Sequence, residues 1–384
     1  TGVQTCALPI FGIQNFESLR RDGYFYVDKT ALIYQMAKTG RYYFLSRPRR
    51  FGKSLLISTI EAYFRGKKEL FEGLAIGELE KDWLEYPVLH LDLNIGKYDQ
   101  PDSLDKILNE ALLGWETLYG TRIGEDTLAL RFKGVVNRAY KQTGHSVVIL
   151  VDEYDKPMLQ AIGNEELQRE YRNTLKPFYG VLKTMDGCIK FAMLTGVTKF
   201  GKVSVFSDLN NLEDLSMWNE YVPLCGITDK ELHETLEAEM HEFAEAQRLT
   251  DEQFRNKLRE YYDGYHFTHN SVGLYNPFSL LNAFKRKEFG SYWFETGTPT
   301  YLVELLKKHR YNLERMADEE TDAQVLNSID SESTNPIPVI YQSGYLTIKG
   351  YDERFGIYRL GFPNREVEEG FVRFLLPLDR KSVV

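Results

Sequence analysis

Short apolar segments that alternate with long amphipathic ones constrain the fold of this chain more than any other feature. Segments with the length of buried strands cover 41–46, 87–93, 145–152 and 189–195. Segments with apolar residues three and four positions apart lie between them, at 53–64, 102–120, 125–143 and 165–185. Strands separated by such helices pair in parallel, because each crossover returns the chain to the same sheet. We therefore predict an α/β domain with a parallel sheet flanked by helices.

The remainder of the chain is predicted to form two smaller regions. The 384 residues exceed the size at which a single hydrophobic core stops growing. From about residue 228 the sequence becomes charged and amphipathic, with predicted helices at 229–243 and 250–262. We place the domains at 10–227, 228–300 and 301–384.

The third region, 301–384, is expected to be partial. It contains a predicted helix that ends near Met316, an acidic stretch at 318–322, and a segment at 336–348 that suits a hairpin or winged element. The first nine residues and the last six resemble translated adapter sequence. We therefore exclude both ends from fold reasoning and expect the C-terminal region to be truncated.

The overall charge and the cysteines exclude several classes of protein. Lys and Arg number 47 against 56 Asp and Glu, and the resulting net charge of −9 argues against a general nucleic-acid coat. Three widely spaced cysteines indicate neither a zinc site nor a disulfide framework, so we expect a reducing, cytoplasmic location. The longest apolar runs are far shorter than the ~20 residues of a membrane helix, and we predict no membrane association.

A phosphate-binding loop is predicted where the first strand meets the first long helix. Phe51, Gly52, Lys53 and Ser54 stand at this junction. Backbone N–H groups and the helix dipole favour an anion there, while a lysine reaches the outer phosphates and a hydroxyl holds Mg²⁺. The general pattern has a further glycine where this chain has Arg47. Gly-Lys-Ser is also a common start to a helix, so the motif alone leaves both interpretations open.

Two carboxylates follow the apolar run 147–151. Asp152 and Glu153 are expected at the carboxyl edge of the sheet, where open α/β sheets bind ligands. In proteins with a phosphate loop, such an aspartate supports Mg²⁺ with the loop serine, and a glutamate orients the attacking water. An acidic pair also occurs in solvated turns, but its combination with Gly-Lys-Ser favours a nucleotide site. The additional strand at 87–93 points to the branch that includes AAA ATPases.

A polar residue ends the fourth predicted strand. Thr195 is our candidate to sense the γ-phosphate from between the two earlier loops, with Thr198 as the second candidate. A capped strand end followed by a glycine turn is the alternative interpretation of the same residues.

Five segments carry a resemblance to a known family: Tyr26 to Thr30, Ser46 to Ser54, Val151 to Pro157, Leu194 to Lys199 and Tyr262 to Tyr265. Their sequences and order resemble the bacterial AAA-ATPase-like family over roughly residues 10 to 300. The resemblance implies an AAA-ATPase-like P-loop domain at 10–227, a helical lid at 228–300, and ATP as ligand. It implies nucleotide contacts from Arg47, Arg49, Arg50, Phe51, Gly52, Lys53, Ser54 and Leu55. Longer members carry a nuclease-like domain of the PD-(D/E)xK type, whose motif we do not find after residue 300.

The three loop arginines have several interpretations. Arg47, Arg49 and Arg50 could stabilise the charge of a transferred phosphoryl group, bind nucleic-acid phosphate, contact a neighbouring subunit, or pair with local carboxylates. Pro48 removes one backbone donor from the loop, and arginine could compensate for it.

We expect an Mg²⁺-dependent ATPase. Lys53 and Ser54 hold phosphates and metal, Asp152 supports the metal, Glu153 activates water, and Thr195 reports the γ-phosphate. The first alternative is a weakly hydrolysing, nucleotide-gated scaffold for a nuclease or another partner protein. The ATPase and the scaffold could each form a homo-oligomer. The second is a DNA-binding accessory module that uses the local arginines.

Overall fold

A parallel sheet of five strands forms the centre of the first domain. The computed structural model describes residues 13–199, 205–206, 209, 211–295, 302, 306, 318–327 and 335–379. In chain order the strands are β1 (Tyr42–Ser46), β2 (Val88–Asp92), β3 (Val147–Asp152), β4 (Ile189–Gly196) and β5 (Glu213–Asp214). Their order across the sheet is β2-β3-β4-β1-β5. The predicted parallel α/β architecture is confirmed, and the four predicted strands lie at β1 to β4.

Helices cover both faces of this sheet. They are α1 (Phe16–Arg21), α2 (Thr30–Thr39), α3 (Lys53–Phe64), α4 (Ala75–Leu79), α5 (Ser103–Tyr119), α6 (Leu128–Thr143), α7 (Lys156–Gln160) and α8 (Glu165–Thr184). Alternate residues of each strand point to opposite faces. On β3, Val148 and Leu150 join the core beneath α3, whereas Val147, Ile149 and Val151 join the core beneath α5, α6 and α8. Burial on both faces explains the unbroken apolar run of this strand.

A helical module follows the sheet. It consists of α9 (Asp229–Ala246), α10 (Asp251–Tyr262), α11 (Pro277–Arg286) and α12 (Tyr292–Glu295), with β6 (Ile227–Thr228) paired antiparallel to β7 (Leu274–Tyr275). Thr228 and Thr250 begin the first two helices with capping boxes, which satisfy backbone N–H groups that would otherwise lack a partner. The module has a core of its own around Phe243, Phe254 and Tyr262.

The C-terminal module is an antiparallel sheet with two short helices and one longer one. It contains β8 (Glu319–Asp322), α13 (Ala323–Asn327), α14 (Ile337–Gln342), β9 (Thr347–Asp352), β10 (Ile357–Gly361) and α15 (Arg365–Asp379), with the strand order β8-β10-β9. The predicted position of the hairpin, 336–348, is wrong. Its first half forms α14, since proline is tolerated in the first turn of a helix, and the hairpin lies at β9 and β10.

Two other predictions concern this region. The acidic stretch 318–322 forms β8, which pairs with β10. The helix expected before Met316 lies outside the described residues, apart from the buried Leu302 and Leu306. Among the helices that the structure describes, none combines the length and the hydropathy needed to cross a membrane.

Candidate functional site

The phosphate loop joins β1 to α3 in a conformation that exposes the start of the helix. Gly52 precedes the first helical residue and has φ 93°, in the left-handed region that glycine adopts without strain. Arg50 has φ 66°, which costs a side-chain-bearing residue about 1–2 kcal/mol. The first N–H groups of the 12-residue α3 have no partner within the helix and carry the positive end of its dipole. The junction can therefore hold an anion.

A cavity of about 780 Å³ opens beside this helix terminus. Its polar side is formed by the loop and helix residues Arg49, Arg50, Phe51, Gly52, Lys53, Ser54 and Leu55. Its apolar side comes from the segment before α2 and from the helical module, through Phe25, Val27, Ile227, Pro277, Phe278 and Leu281. The cavity thus offers polar groups that suit phosphates and apolar groups that suit a flat ring, and the two sets meet where Arg50 lies 5.0 Å from the ring of Phe278.

Lys53 and Glu153 meet at the wall of this cavity. Lys53 Nζ lies 3.3 Å from Glu153 Oε1, and it donates to the carbonyl oxygens of Arg47 at 3.1 Å and Pro48 at 3.3 Å. Its side chain is 3% exposed. Glu153 has φ 56° directly after β3, a left-handed conformation uncommon for glutamate. The structure therefore brings the predicted phosphate-binding lysine and the predicted water-activating glutamate together.

Asp152 and Thr195 are joined on neighbouring strands. The register pairs Val151 of β3 with Leu194 of β4, so the next residue of each strand also lies side by side. Thr195 Oγ1 donates to Asp152 Oδ1 at 2.5 Å, and both residues are buried. Neither lines the cavity. The candidate sensor is thus bound to the candidate metal-supporting carboxylate, one layer behind Glu153.

Asp155 received no role from the sequence, although it stands in the segment Val151 to Pro157 that carries the family resemblance. It is fully buried and accepts hydrogen bonds from Val197 N at 3.2 Å, Thr198 N at 2.6 Å and Thr198 Oγ1 at 2.7 Å. Burial, and after it the negative charge of Glu153, raises the pKa of Asp155 to about 7. The second sensing candidate, Thr198, is therefore held by the loop that carries Glu153.

The three loop arginines have different surroundings. Arg47 is buried away from the cavity, donates to the carbonyl oxygens of Ser46 and Ser216, and stacks on Phe267 at 4.1 Å. Burial lowers its pKa to about 10. Arg49 and Arg50 line the cavity. The structure brings two of the three arginines to the site, while Arg47 connects the loop to the helical module.

Lys29 and Asp28, in the segment before α2, make further contacts near the cavity. Lys29, which lines the cavity, forms an ion pair of 2.5 Å with Glu231, the capping-box residue of α9. Burial lowers the pKa of Lys29, against the opposing effect of Glu231. Asp28 accepts hydrogen bonds from Thr30 N and Ala75 N, the first backbone N–H groups of α2 and α4. In the sequence, only its place in the segment Tyr26 to Thr30 connects Lys29 with the site.

Ser54 and Asp152 offer a hydroxyl and a carboxylate, the oxygen donors that Mg²⁺ takes in proteins. Mg²⁺ commonly uses one or two such groups together with waters and the substrate phosphates. Within the part of the chain that the structure describes, no three His, Cys, Asp or Glu side chains gather into a metal site. The donor set therefore fits a metal bound together with phosphates rather than in an all-protein cage.

A five-stranded parallel sheet flanked by helices, with Gly-Lys-Ser opening a helix and Asp-Glu at the end of the next-but-one strand, is the arrangement of a P-loop NTPase. The model of the AAA-ATPase-like family, described as predicted AAA-ATPase, matches residues 9–206. The chain belongs to this family and is a nucleotide-binding, ATPase-like P-loop protein.

Two similar proteins are known from comparison. An uncharacterized protein of the vnfD 5′ region in Azotobacter chroococcum mcd 1 is 39% identical over 374 residues, which cover 96% of this chain and 70% of the relative. The structure of the ORC2 protein of Aeropyrum pernix, in ADPNP–ADP complexes, aligns with 96% of each chain at 11% identity and a TM-score of 0.30.

Proposed function

We propose that this protein binds ATP and hydrolyses it in an Mg²⁺-dependent reaction. The observation that carries the proposal is the contact between Lys53 and Glu153 at the start of α3, beside a cavity lined by both polar and apolar groups. A cation at a helix N-terminus favours a polyphosphate, and apolar residues in the same cavity favour a purine ring.

Each part of ATP has matching groups in the cavity. The N–H groups at the start of α3 and the ammonium group of Lys53 suit the β- and γ-phosphates. Arg49 and Arg50 add positive charge on the same side. The apolar wall, which includes Phe25 and Phe278, suits the base. Because these aromatic residues come from different modules, base binding would connect the sheet domain to the helical module.

Ser54 and Asp152 are the residues proposed to hold Mg²⁺. A bound Mg²⁺ neutralises charge that develops on the transferred phosphoryl group. Asp152 accepts a hydrogen bond from the hydroxyl group of Thr195, which fixes the orientation of the carboxylate. Thr195 is thereby a positioning residue for Asp152, and a change at the γ-phosphate would reach it through this carboxylate.

Glu153 is proposed to accept the proton of the attacking water. Its carboxylate lies at the cavity wall, 18% exposed, and its left-handed backbone directs the loop out of the sheet. The ion pair with Lys53 holds the carboxylate at the cavity wall. Removal of a general base typically slows turnover by about 10²–10⁴-fold.

Phosphate release and ATP affinity, measured on the purified chain with and without Mg²⁺, test this function. An ATPase gives Mg²⁺-dependent phosphate release that is lost in Lys53→Met. If the chain neither binds ATP nor releases phosphate, the proposed function is wrong.

The nucleotide-gated scaffold remains a second candidate, and one observation favours it. Asp152 is bound to Thr195 and does not reach the cavity wall, so the metal side of the site is less open than the phosphate side. Tight ATP binding with negligible phosphate release would select this candidate. A separate nuclease partner, nucleic-acid binding through Arg49 and Arg50, a homo-oligomer and a cytoplasmic location stay predictions attached to either function.

A further inference from the structure

Three consecutive backbone N–H groups after β4 are held by side chains from two directions. Val197 N and Thr198 N donate to the carboxylate of Asp155, at 3.2 Å and 2.6 Å. Lys199 N donates to Oε1 of Gln342 at 2.6 Å. Asp155 belongs to the loop of Glu153, whereas Gln342 ends α14 in the C-terminal module. The segment 197–199 therefore connects that module to the loop of Glu153.

The side chain of Gln342 is fixed at both ends of its amide. Nε2 donates to the carbonyl oxygen of Leu326 at 2.7 Å, and the residue is 6% exposed. The side chain of Lys199 adds a second attachment, since its Nζ contacts Asn327 Oδ1 at 2.6 Å and Asp214 Oδ2 at 2.9 Å. A buried amide with both groups paired has one orientation, because turning it would leave two polar groups unsatisfied. Residues of α13 and α14 thus hold the side chain and the backbone N–H group of Lys199, respectively.

The same module also touches the phosphate loop. A Cβ atom at Gly344 would lie 2.6 Å from Cβ of Pro48, so the backbone of Gly344 packs directly against the ring of Pro48. In the helical module, Trp293 Nε1 donates to the carbonyl oxygen of Arg49 at 3.0 Å. The C-terminal module therefore contacts the phosphate loop directly and the loop of Glu153 through segment 197–199.

We propose that Gln342 is a positioning residue through which the C-terminal module controls ATP turnover. It holds segment 197–199, which in turn holds Asp155, and Tyr154 N donates to the carbonyl oxygen of Thr195 at 2.9 Å. These bonds fix the two residues that follow Glu153. Loss of the Gln342 contact frees the loop and moves Glu153 from its place beside Lys53. The inference rests on the proposed ATPase function and adds its regulation.

Two substitutions of Gln342 distinguish its role as a hydrogen-bond acceptor from its role as a donor. Gln342→Met removes both the acceptor for Lys199 N and the donor to Leu326. Gln342→Glu retains the acceptor alone. We expect Gln342→Met to lower kcat by about tenfold, the value of one net hydrogen bond, while ATP affinity changes by less than about threefold. Gln342→Glu should retain a kcat closer to that of the parent.

Gln168→Met is the matched control, since Gln168 is a glutamine of similar burial, 4% exposed, and lies on α8. Its kcat should equal that of the parent, and thermal unfolding should show that all three variants fold. The inference is overturned if Gln342→Met turns over ATP at the parental rate, if it loses affinity as much as kcat, or if Gln168→Met shows the same defect.

Hydrogen–deuterium exchange without nucleotide separates this inference from the proposed function. Gln342→Met should increase exchange at the N–H groups of 197–199 and of Tyr154, while the N–H groups of α8 keep parental protection. If the parent chain hydrolyses no ATP, the proposed function fails, but the exchange experiment still decides the coupling. Parental exchange at Tyr154 in Gln342→Met overturns it.

Discussion

The ammonium group of Lys53 lies 3.3 Å from the carboxylate of Glu153, which joins the first residue of α3 to the residue that follows β3. With side chains 3% and 18% exposed, the pair is largely shielded from water. Burial strengthens the interaction of two charges and raises the cost of leaving one unpaired. A substitution at either position therefore changes the electrostatics of the other.

Lys53→Met should weaken ATP binding by about tenfold to a hundredfold, as expected for the loss of one charged hydrogen bond of 1.5–3 kcal/mol. Titration calorimetry with ATP measures the effect. Lys97→Met is the control, because Lys97 lines the same cavity but is 83% exposed and paired with Asp99. Equal affinities for the two variants would contradict the assignment of Lys53 to phosphate.

Glu153→Gln should slow phosphate release by about a hundredfold or more, since the amide cannot accept the proton of the attacking water. ATP affinity should stay at the parental level or increase, because a negative charge beside the phosphates is removed. Single-turnover phosphate release and calorimetry measure the two quantities separately. Glu166→Gln, at an exposed position in the first turn of α8, serves as control. Parental turnover in Glu153→Gln would remove this residue from the mechanism.

Thr195→Val should lower both stability and kcat, whereas Thr195→Ser should restore most of each. Valine matches the shape of threonine but leaves Oδ1 of the buried Asp152 without its hydroxyl donor. An unsatisfied buried acceptor costs about 1–3 kcal/mol of free energy of unfolding. Urea denaturation and turnover assays measure the two effects. Identical behaviour of the valine and serine variants would show that the hydroxyl group has no role.

The contribution of Asp155 to the free energy of unfolding should fall as pH rises from about 4 to 7. Its pKa is about 7 in the folded chain, against an ordinary value near 3.9. The folded state therefore binds the proton more tightly, and this stabilisation is complete below about pH 4 and lost as pH passes 7. The advantage of the parent over Asp155→Asn in free energy of unfolding should shrink across this interval. A difference that grows with pH would mean that the three hydrogen-bond donors keep the carboxylate ionised.

Gly344→Ala should destabilise the protein more than Gly356→Ala, by about 1–3 kcal/mol. Both glycines have positive φ, 90° and 67°, so alanine is strained at either position. Only at Gly344 would the new Cβ clash with Pro48, since at Gly356 the nearest atom is 4.0 Å away. Urea denaturation of both variants separates the clash from the strain. Equal losses would show that the phosphate loop yields to the C-terminal module.

Much of the fold could be predicted from sequence because burial on both faces of a parallel sheet leaves continuous apolar runs. The runs at 41–46, 87–93, 145–152 and 189–195 became β1 to β4 for this reason. β5 escaped detection because it has two residues, Glu213 and Asp214, and pairs only with Tyr43 and Phe44. β8 escaped because Glu319 to Asp322 is acidic and lies half in solvent.

For the candidate site, sequence determined which residues surround the phosphate position, and tertiary structure decided what each one touches. Gly52, Lys53 and Glu153 were predictable because their places follow from strand and helix ends. Three contacts join residues that are far apart in the chain. Arg47 packs on the ring of Phe267, Asp155 accepts a hydrogen bond from Thr198, and Gln342 accepts one from Lys199. Local pattern carries no information about such pairs, since they form only when elements distant in the chain pack together.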